Sequence, residues 1–182
     1  SGSVRQVPKD YLGVVHTNIA GGKTDVAIKD KITYTVNFEE GGYMSGSVKV
    51  HRRHDGDPDN QFEGTTNLND LRIYTPSGSR LISGHGFSLE TERIFQPVPE
   101  DGEYDIDPDL AQSINQMTSN LEYSVDTFPE SGKTVFANWL TLPPGEQRSV
   151  EVNYELPFDW RAWRNSEGNI IYTIYFQKQP GT

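Results

Sequence analysis

A strict alternation of apolar and polar residues is the feature of this sequence that most limits its possible folds. In residues 150 to 156 the apolar residues occupy every even-numbered position, and Glu151, Asn153 and Glu155 lie between them. Residues 26 to 38 show the same period of two over a longer run that is rich in β-branched residues. This period is typical of a β-strand with one buried face. The chain is therefore expected to bury its apolar residues between β-sheets.

Further segments of strand character follow one another along the chain and are separated by turn signals. We expect strands at residues 11–18, 25–38, 44–50, 123–128, 135–142, 150–156 and 170–176, and another around Leu71 and Ile73. Residues 135–142 are apolar on both phases, which indicates a central strand. Hairpin turns are expected at residues 39–42 and 76–78, where glycine accepts positive φ. The pattern predicts an all-β fold, an antiparallel β-sandwich of immunoglobulin-like character, with a barrel as the alternative.

One short helix is expected within this all-β fold, beginning after residue 107. Asp107 is a suitable N-cap and Pro108 fits the first helical position. The apolar residues of this segment fall on one helical face; they are Leu110, Ile114, Met117 and Leu121.

Composition limits both the organisation of the chain and its partners. Residues 4–182 are expected to form a single domain, and Ser1 to Ser3 resemble the remnant of an expression tag. The formal net charge of -10 argues against nucleic acid as a partner. The absence of cysteine excludes thiolate chemistry and disulfides. No apolar run approaches the roughly 18 residues of a membrane-spanning helix.

Gly22, Lys23 and Thr24 resemble the end of a phosphate-binding loop. That loop requires an earlier glycine, five residues before Gly22, where this chain has Thr17. It also requires a helix to follow, whereas the next residues have strand periodicity. We therefore interpret the tripeptide as part of a glycine turn between two strands.

Four longer stretches carry a resemblance to a known family. They are "YLGVVHTNIAGGKTD", "LNDLRIYTPSGSRLI", "GKTVFANWLTLPPGEQRSVEVNYELPF" and "YFQKQPGT". In this order they resemble the C-terminal region of the bacterial family described as domain of unknown function 4012. The resemblance implies a membrane-anchored protein whose anchor precedes this fragment, with the present domain outside the cytoplasm at the bacterial cell surface. It implies no known activity and no catalytic residue.

An acidic loop is the strongest candidate for a metal site. Asp55, Asp57 and Asp59 occupy alternate positions and Glu63 follows. Oxygen ligands at this spacing suit calcium, although Asn60 and Thr66 stand where an EF-hand has glycine and glutamate. We expect no obligatory cofactor and regard calcium as possible at these four residues. The alternative is a solvated loop whose aspartates favour turns.

A second candidate site is the segment "FDWRAWRN". Its two tryptophans and two arginines, Trp160, Arg161, Trp163 and Arg164, are residue types that dominate binding hot spots. They can stack on a sugar ring or anchor a protein partner. The alternative is that the tryptophans cover one end of the sandwich core.

Two further polar features lack an obvious role. Asp30 interrupts the inward phase of the second strand, which suggests either a bulge or a carboxylate buried against a lysine. The four histidines (His16, His51, His54 and His85) do not form a closed zinc-ligand set, and we interpret them as polar surface side chains.

The strand pattern predicts a β-sandwich, and the family resemblance implies that it is an extracytoplasmic module of a bacterial envelope protein; we expect it to be non-enzymatic. Its role would be structural or in binding, with a protein or a polysaccharide of the envelope as the partner. One alternative is a carbohydrate-active hydrolase or transferase that acts on envelope polysaccharide through a carboxylate pair. A second alternative is a spacer domain stabilised by calcium.

Overall fold

The computed structural model of the chain describes residues 4–7, 9–19, 23–88 and 116–179. These residues form ten strands: β1 (Asp10–Asn18), β2 (Ile28–Phe38), β3 (Met44–His54), β4 (Asn67–Pro76), β5 (Arg80–His85), β6 (Thr118–Asn120), β7 (Val125–Glu130), β8 (Lys133–Leu142), β9 (Gln147–Leu156) and β10 (Ile174–Gln177). Short 3-10 turns span Thr24–Ala27, Glu40–Gly42 and Trp160–Trp163.

The strands form two sheets packed face to face. One sheet has six strands in the order β10-β1-β4-β8-β7-β6, and the other has four in the order β2-β3-β9-β5. Neighbouring strands are antiparallel except for β1 and β10, which run parallel. The predicted antiparallel sandwich is confirmed, and β8 has the central position that its sequence indicated.

The core fills the space between the sheets and follows the predicted alternation. Val150, Val152, Tyr154 and Leu156 of β9 are all buried, while the residues between them are half-buried. They pack against apolar residues of the six-stranded sheet such as Leu71. Burying whole side chains of this kind contributes about 1.5–3 kcal/mol each, so the inter-sheet core is the main source of stability.

Strand β2 lies at the edge of its sheet and pairs with β3 in one unbroken register from Ile28 opposite His54 to Phe38 opposite Met44. The suggestion of a bulge at Asp30 is wrong, because Asp30 sits directly opposite Arg52 in that register. The expected start of this strand at residue 25 is also wrong. Val26 lies in the Thr24–Ala27 turn and is 76% exposed.

The expected helix falls mostly outside the described residues, since 107–115 are among those not described. Its predicted C-terminal part is wrong. Thr118–Asn120 forms strand β6 and pairs with β7. Met117 and Leu121, assigned to the apolar helical face, are exposed. The backbone pairing of β6 with β7 therefore determines the structure of this segment, and the helical spacing of Met117 and Leu121 does not.

The neighbourhood of Lys23 agrees with a connection between strands. Residues 20–22, which hold the expected glycine turn, lie outside the described residues. After Lys23 the chain makes one 3-10 turn and enters β2, so no helix N-terminus follows the tripeptide. None of the helical segments in the described ranges combines the length and apolar character that crossing a bilayer requires.

Candidate functional site

Polar side chains replace apolar ones at one end of the sandwich interior. The inward phase of β1 runs through Leu12 and Val14 to His16, and that of β3 runs through Val48 and Val50 to Arg52. On β2 and β4 the corresponding inward positions at this end hold Asp30, Asn67 and Asn69. Because buried polar groups need hydrogen-bond partners, these residues are expected to bond to one another.

Arg52 and Asp30 form the central pair of this end. Arg52 Nε lies 2.7 Å from Asp30 Oδ1, and the arginine side chain is only 2% exposed. Arg52 Nη1 also reaches Asn67 Oδ1 at 3.5 Å, a long and weak contact. The aspartate side chain remains 28% exposed, so the pair is buried on its arginine side and open on its carboxylate side.

Asn67 joins this pair to the turn before β2. Its Nδ2 donates to Thr24 Oγ1 at 2.9 Å and to Asp25 Oδ1 at 3.0 Å. These two hydrogen bonds hold the Thr24–Ala27 turn against β4, and Thr24 is buried there. Asp25 is thereby positioned near Asp30 and Arg52, and all three contribute to the same pocket.

His16 occupies the same end from the opposite sheet. Its Nδ1 lies 3.3 Å from Asn69 Nδ2. An amide nitrogen can only donate, so in this arrangement Nδ1 accepts and the proton resides on Nε2. Nε2 lies 3.5 Å from Asp30 Oδ2, beyond normal hydrogen-bond length, and has no other hydrogen-bond acceptor among the described residues. Burial and the Arg52 charge lower the pKa of His16 to about 4, which leaves the ring neutral at pH 7.

The end of β10 and the residues after it cover the outer side of this polar end of the interior. Gln179, just beyond β10, accepts from the His16 backbone N–H at 2.9 Å and donates to the His16 carbonyl at 2.9 Å. One side-chain amide thus makes the two hydrogen bonds that a neighbouring strand would make. The contact continues the pairing of β1 past the end of β10.

These elements enclose an open pocket of about 520 Å³ at the edge of the sandwich, which we call the edge pocket. Its polar lining comes from His16, Asp25, Asp30, Arg52, Gln177, Lys178 and Gln179. Its apolar lining comes from Val14, Ile28, Ile32 and Phe176. The volume lies within the ~300–1,000 Å³ of typical small-ligand sites.

The predicted tryptophan site is part of the core boundary. Trp163 packs against Phe158 and Tyr172 at centroid distances of 5.3 and 5.8 Å. Trp160 donates from Nε1 to the Glu39 carbonyl at 2.9 Å and meets Phe38 edge-on. Both tryptophans are half-buried against the main core, as the alternative interpretation expected.

The two arginines of this segment are engaged locally. Arg161 Nε donates to Asp159 Oδ1 at 2.9 Å, and the Arg164 guanidinium lies 5.3 Å from the centre of the Trp160 ring. Both arginines are exposed. The structure therefore accounts for the four residues as a cover over one end of the core, and their role in ligand binding stays a prediction.

The predicted calcium loop uses its acidic groups for local contacts. Asp55 pairs with Lys29 at 2.9 Å and with Arg53 at 2.6 Å, and these cations lower its pKa to about 2, Arg53 more than Lys29. Asp57 Oδ1 accepts from the Asp59 backbone N–H at 3.0 Å. In the ranges described, no group of three or more metal-ligating side chains converges here or elsewhere. Calcium binding at this loop, including Glu63, stays a prediction.

His54 contacts both ends of the acidic loop. Its burial, like the near-burial of His16, corrects the interpretation of these two histidines as surface side chains, whereas His85 is exposed. His54 is fully buried. Its Nδ1 accepts from the Gly56 backbone N–H at 3.1 Å, and its Nε2 lies 3.1 Å from the Thr65 carbonyl. The ring therefore links the two ends of the loop.

A second buried polar group lies further along the open edge. Asp10 is fully buried, and its Oδ2 accepts from Tyr34 at 2.7 Å and from Tyr172. Burial raises the pKa of the Asp10 carboxyl, while these tyrosine hydrogen bonds act in the opposite direction. Because the carboxylate is fully buried and tied to two phenols, it serves as a link between the sheets.

The sequence contained a usable signal for the edge pocket. Asp30 interrupts the inward phase of β2, and the predicted lysine partner is wrong, because the structure places Arg52 against it at 2.7 Å. His16, Arg52 and Asn69 also interrupt inward phases, and they were missed. The signal that identifies the pocket is the concentration of such interruptions at one end of neighbouring strands.

Comparison of the chain with protein-family models, with curated proteins and with solved structures found no match. The resemblance to the domain of unknown function 4012 family therefore stays a prediction.

Proposed function

We propose that this chain is a non-catalytic binding module and that the edge pocket is its ligand site. The observation that carries the proposal is an open pocket of about 520 Å³ on which polar side chains from both sheets converge. His16 lines it from β1, and the paired Asp30 and Arg52 line it from the other sheet. A few convergent polar groups in a pocket with apolar walls are typical of a small-ligand site.

The protonation chemistry of the pocket supports binding more than catalysis. A general base works best when its pKa is near the operating pH. The pKa of His16 is lowered to about 4, so this imidazole is a weak base. Asp30 is engaged by Arg52 at 2.7 Å. These groups are suited to orienting a bound molecule.

Location and partner follow from the family resemblance. An extracytoplasmic module of a membrane-anchored bacterial envelope protein would meet proteins and polysaccharides of the envelope. Most residues that line the edge pocket lie on strands. Ligand contacts that come from the scaffold itself suit a structural or adhesive role.

One observation favours the enzyme alternative. Asp25 and Asp30 line the same pocket. Two carboxylates on either side of a sugar are the usual catalytic groups of a glycoside hydrolase. An assay for the proposed function should therefore detect product formation as well as binding.

A titration followed by NMR tests the proposal. The labelled protein is mixed with a panel of small polar compounds that includes neutral, acidic and basic members. We expect binding compounds to shift the side-chain amide signals of Asn69 and Gln179. New product signals in the same samples would support the enzyme alternative. Shifts confined to the tryptophan segment, or none with any compound, would contradict the proposal.

Two matched variants locate the binding. Phe176→Ser changes an exposed phenylalanine of the pocket wall, and Phe62→Ser changes an exposed phenylalanine of the acidic loop. Their exposed fractions are 47% and 56%, so both should fold. Binding at the edge pocket predicts weakened binding for the first variant and unchanged binding for the second.

A further inference from the structure

The ionic groups of the edge pocket balance one another. Asp25 and Asp30 provide two negative charges, and Arg52 and Lys178 provide two positive charges. His16 adds none at neutral pH, because burial and Arg52 lower its pKa to about 4. A charged ligand would have to lose its hydration without finding an unmatched counter-charge, which disfavours its binding.

The same groups offer directional hydrogen bonds. Asp30 Oδ1 is taken by Arg52 at 2.7 Å, and Asp25 Oδ1 accepts from Asn67 at 3.0 Å. Each carboxylate has further lone pairs, since an ionised carboxylate has about four acceptor sites. The Lys178 ammonium, which lines the same pocket, supplies donors beside them. Hydroxyl groups, which both donate and accept, match such a mixed lining.

The apolar wall adds a flat surface to these polar groups. Phe176 contributes a half-exposed ring, and Ile28 and Ile32 of β2 extend the apolar lining. A ligand that fits has hydroxyl groups at its edge and C–H groups on its face. A sugar ring has both, and aromatic side chains bind such amphipathic surfaces.

We propose that the edge pocket binds a neutral sugar unit of a polysaccharide. The proposal rests on the proposed function of the pocket and names its ligand class. A polymer fits because the pocket lies at the open edge of the sandwich, between β2 and the wall formed by β10, so a chain can enter and leave along that edge.

Matched oligosaccharides that differ mainly in charge test the ligand class. An array of neutral glycans first selects binding members. Calorimetry then compares two pairs: tetragalacturonate with its methyl ester, and the glucosamine tetramer with its N-acetylated form. For any pair that binds, we expect the neutral member to bind at least tenfold more tightly than the charged one. Phe176→Ser should lower that affinity at least tenfold, and Phe62→Ser should leave it unchanged.

Three results would overturn the proposal. They are tighter binding of a charged member, the absence of binding to every neutral glycan, and neutral binding that Phe176→Ser does not affect. The first leaves the binding function of the pocket intact and changes only its ligand. The second is separated from failure of the proposed function by the wider panel of the NMR titration, in which non-sugar compounds still report on the pocket.

Discussion

At the residue scale, the polar end of the interior depends on Arg52. Its side chain is 2% exposed and is paired with Asp30 across two adjacent strands. The β-sheet register brings the two together, and packing at this end leaves the arginine side chain almost no contact with water. Removing one partner of such a pair leaves the other without compensation, and this loss exceeds the net contribution of the intact pair.

We expect Asp30→Ala to lower the free energy of unfolding by about 2–4 kcal/mol, because the buried Arg52 charge loses its carboxylate partner. Urea unfolding at pH 7 measures the change. Glu155→Ala is the matched control, since its partner Arg80 is 72% exposed. Its cost should stay below about 1 kcal/mol. Equal costs for the two variants would show that the buried pair has no special role.

His16 should give the stability a characteristic pH dependence. Its folded-state pKa is lowered from 6.5 to about 4, so its contribution is fully present above pH 6.5 and is lost as pH falls toward 4. Relative to His16→Gln, the wild type should lose up to about 3 kcal/mol between these values. Urea unfolding across this pH range measures the difference.

The control for this experiment is His85→Gln, which removes an imidazole that is 65% exposed. Subtracting the unfolding free energy of each variant from that of the wild type at each pH cancels the contribution of the carboxylates that all three proteins share. A His16→Gln curve parallel to that of the wild type from pH 7 to pH 4 would contradict the role assigned to burial.

At the element scale, β3 contains a glycine where the inward phase calls for a larger side chain. A Cβ on Gly46 would lie 2.8 Å from the ring of Tyr154, which is fully buried on β9. The two strands are paired at this point, with Gly46 opposite Tyr154. The tyrosine ring therefore occupies the space above the glycine, and the two residues act as one packing unit.

Gly46→Ala should cost about 1–3 kcal/mol, because the tyrosine ring must shift within a close-packed core. Thermal and urea unfolding both report the change. Ser47→Ala, on the opposite face of the same strand, should remain within about 0.5 kcal/mol of the wild type. If Gly46→Ala unfolded like the wild type, the core around Tyr154 would have more room than the structure indicates.

Strands were predictable from sequence wherever one face is buried. β9 alternates without exception, so its burial pattern could be read directly from residues 150 to 156. Where a strand lies at an edge, as β2 does, the same alternation produced only half-burial. The end of the predicted helix failed because Met117 and Leu121 satisfied a helical spacing without any core to pack against.

The candidate site was less predictable for a different physical reason. A polar residue at an inward position of a strand indicates that a hydrogen-bond partner must lie nearby. That partner is on another strand, and the sequence does not specify how the two strands are aligned. Asp30 was noticed, yet only the β2–β3 register brings Arg52 opposite it. His16 approaches from the other sheet, so its meeting with Asp30 depends on how the two sheets pack.

At the scale of the whole molecule, the sandwich interior has two unlike ends. Phe38, at one end of β2, packs against Trp160 and Tyr172. Asp30, toward the other end of β2, lines the edge pocket. Eight residues of strand separate the two positions, which corresponds to roughly 26 Å. An aromatic cover therefore closes one end, and the polar pocket opens at the other.

Calcium bound at the acidic loop would stabilise the folded molecule as a whole. Asp55 already pairs with Lys29 and Arg53, and Asp57 accepts from a backbone N–H. We expect the melting temperature to be the same in chelator and in excess calcium. A calcium-dependent increase that is abolished by Asp57→Asn with Asp59→Asn would instead establish the calcium-stabilised spacer.

The parallel pairing of β1 with β10 has a mechanical consequence. Asp10 is opposite Ile174 and Gly13 is opposite Gln177, so the chain enters β1 and leaves β10 at opposite ends of the same strand pair. A pull applied through these two points acts along the strands and loads their hydrogen bonds in shear. Bonds in shear must break together, whereas bonds that are unzipped break one after another. The Gln179 contacts with His16 lengthen this shear-loaded segment, so tension on the chain would be resisted by the same wall that encloses the edge pocket.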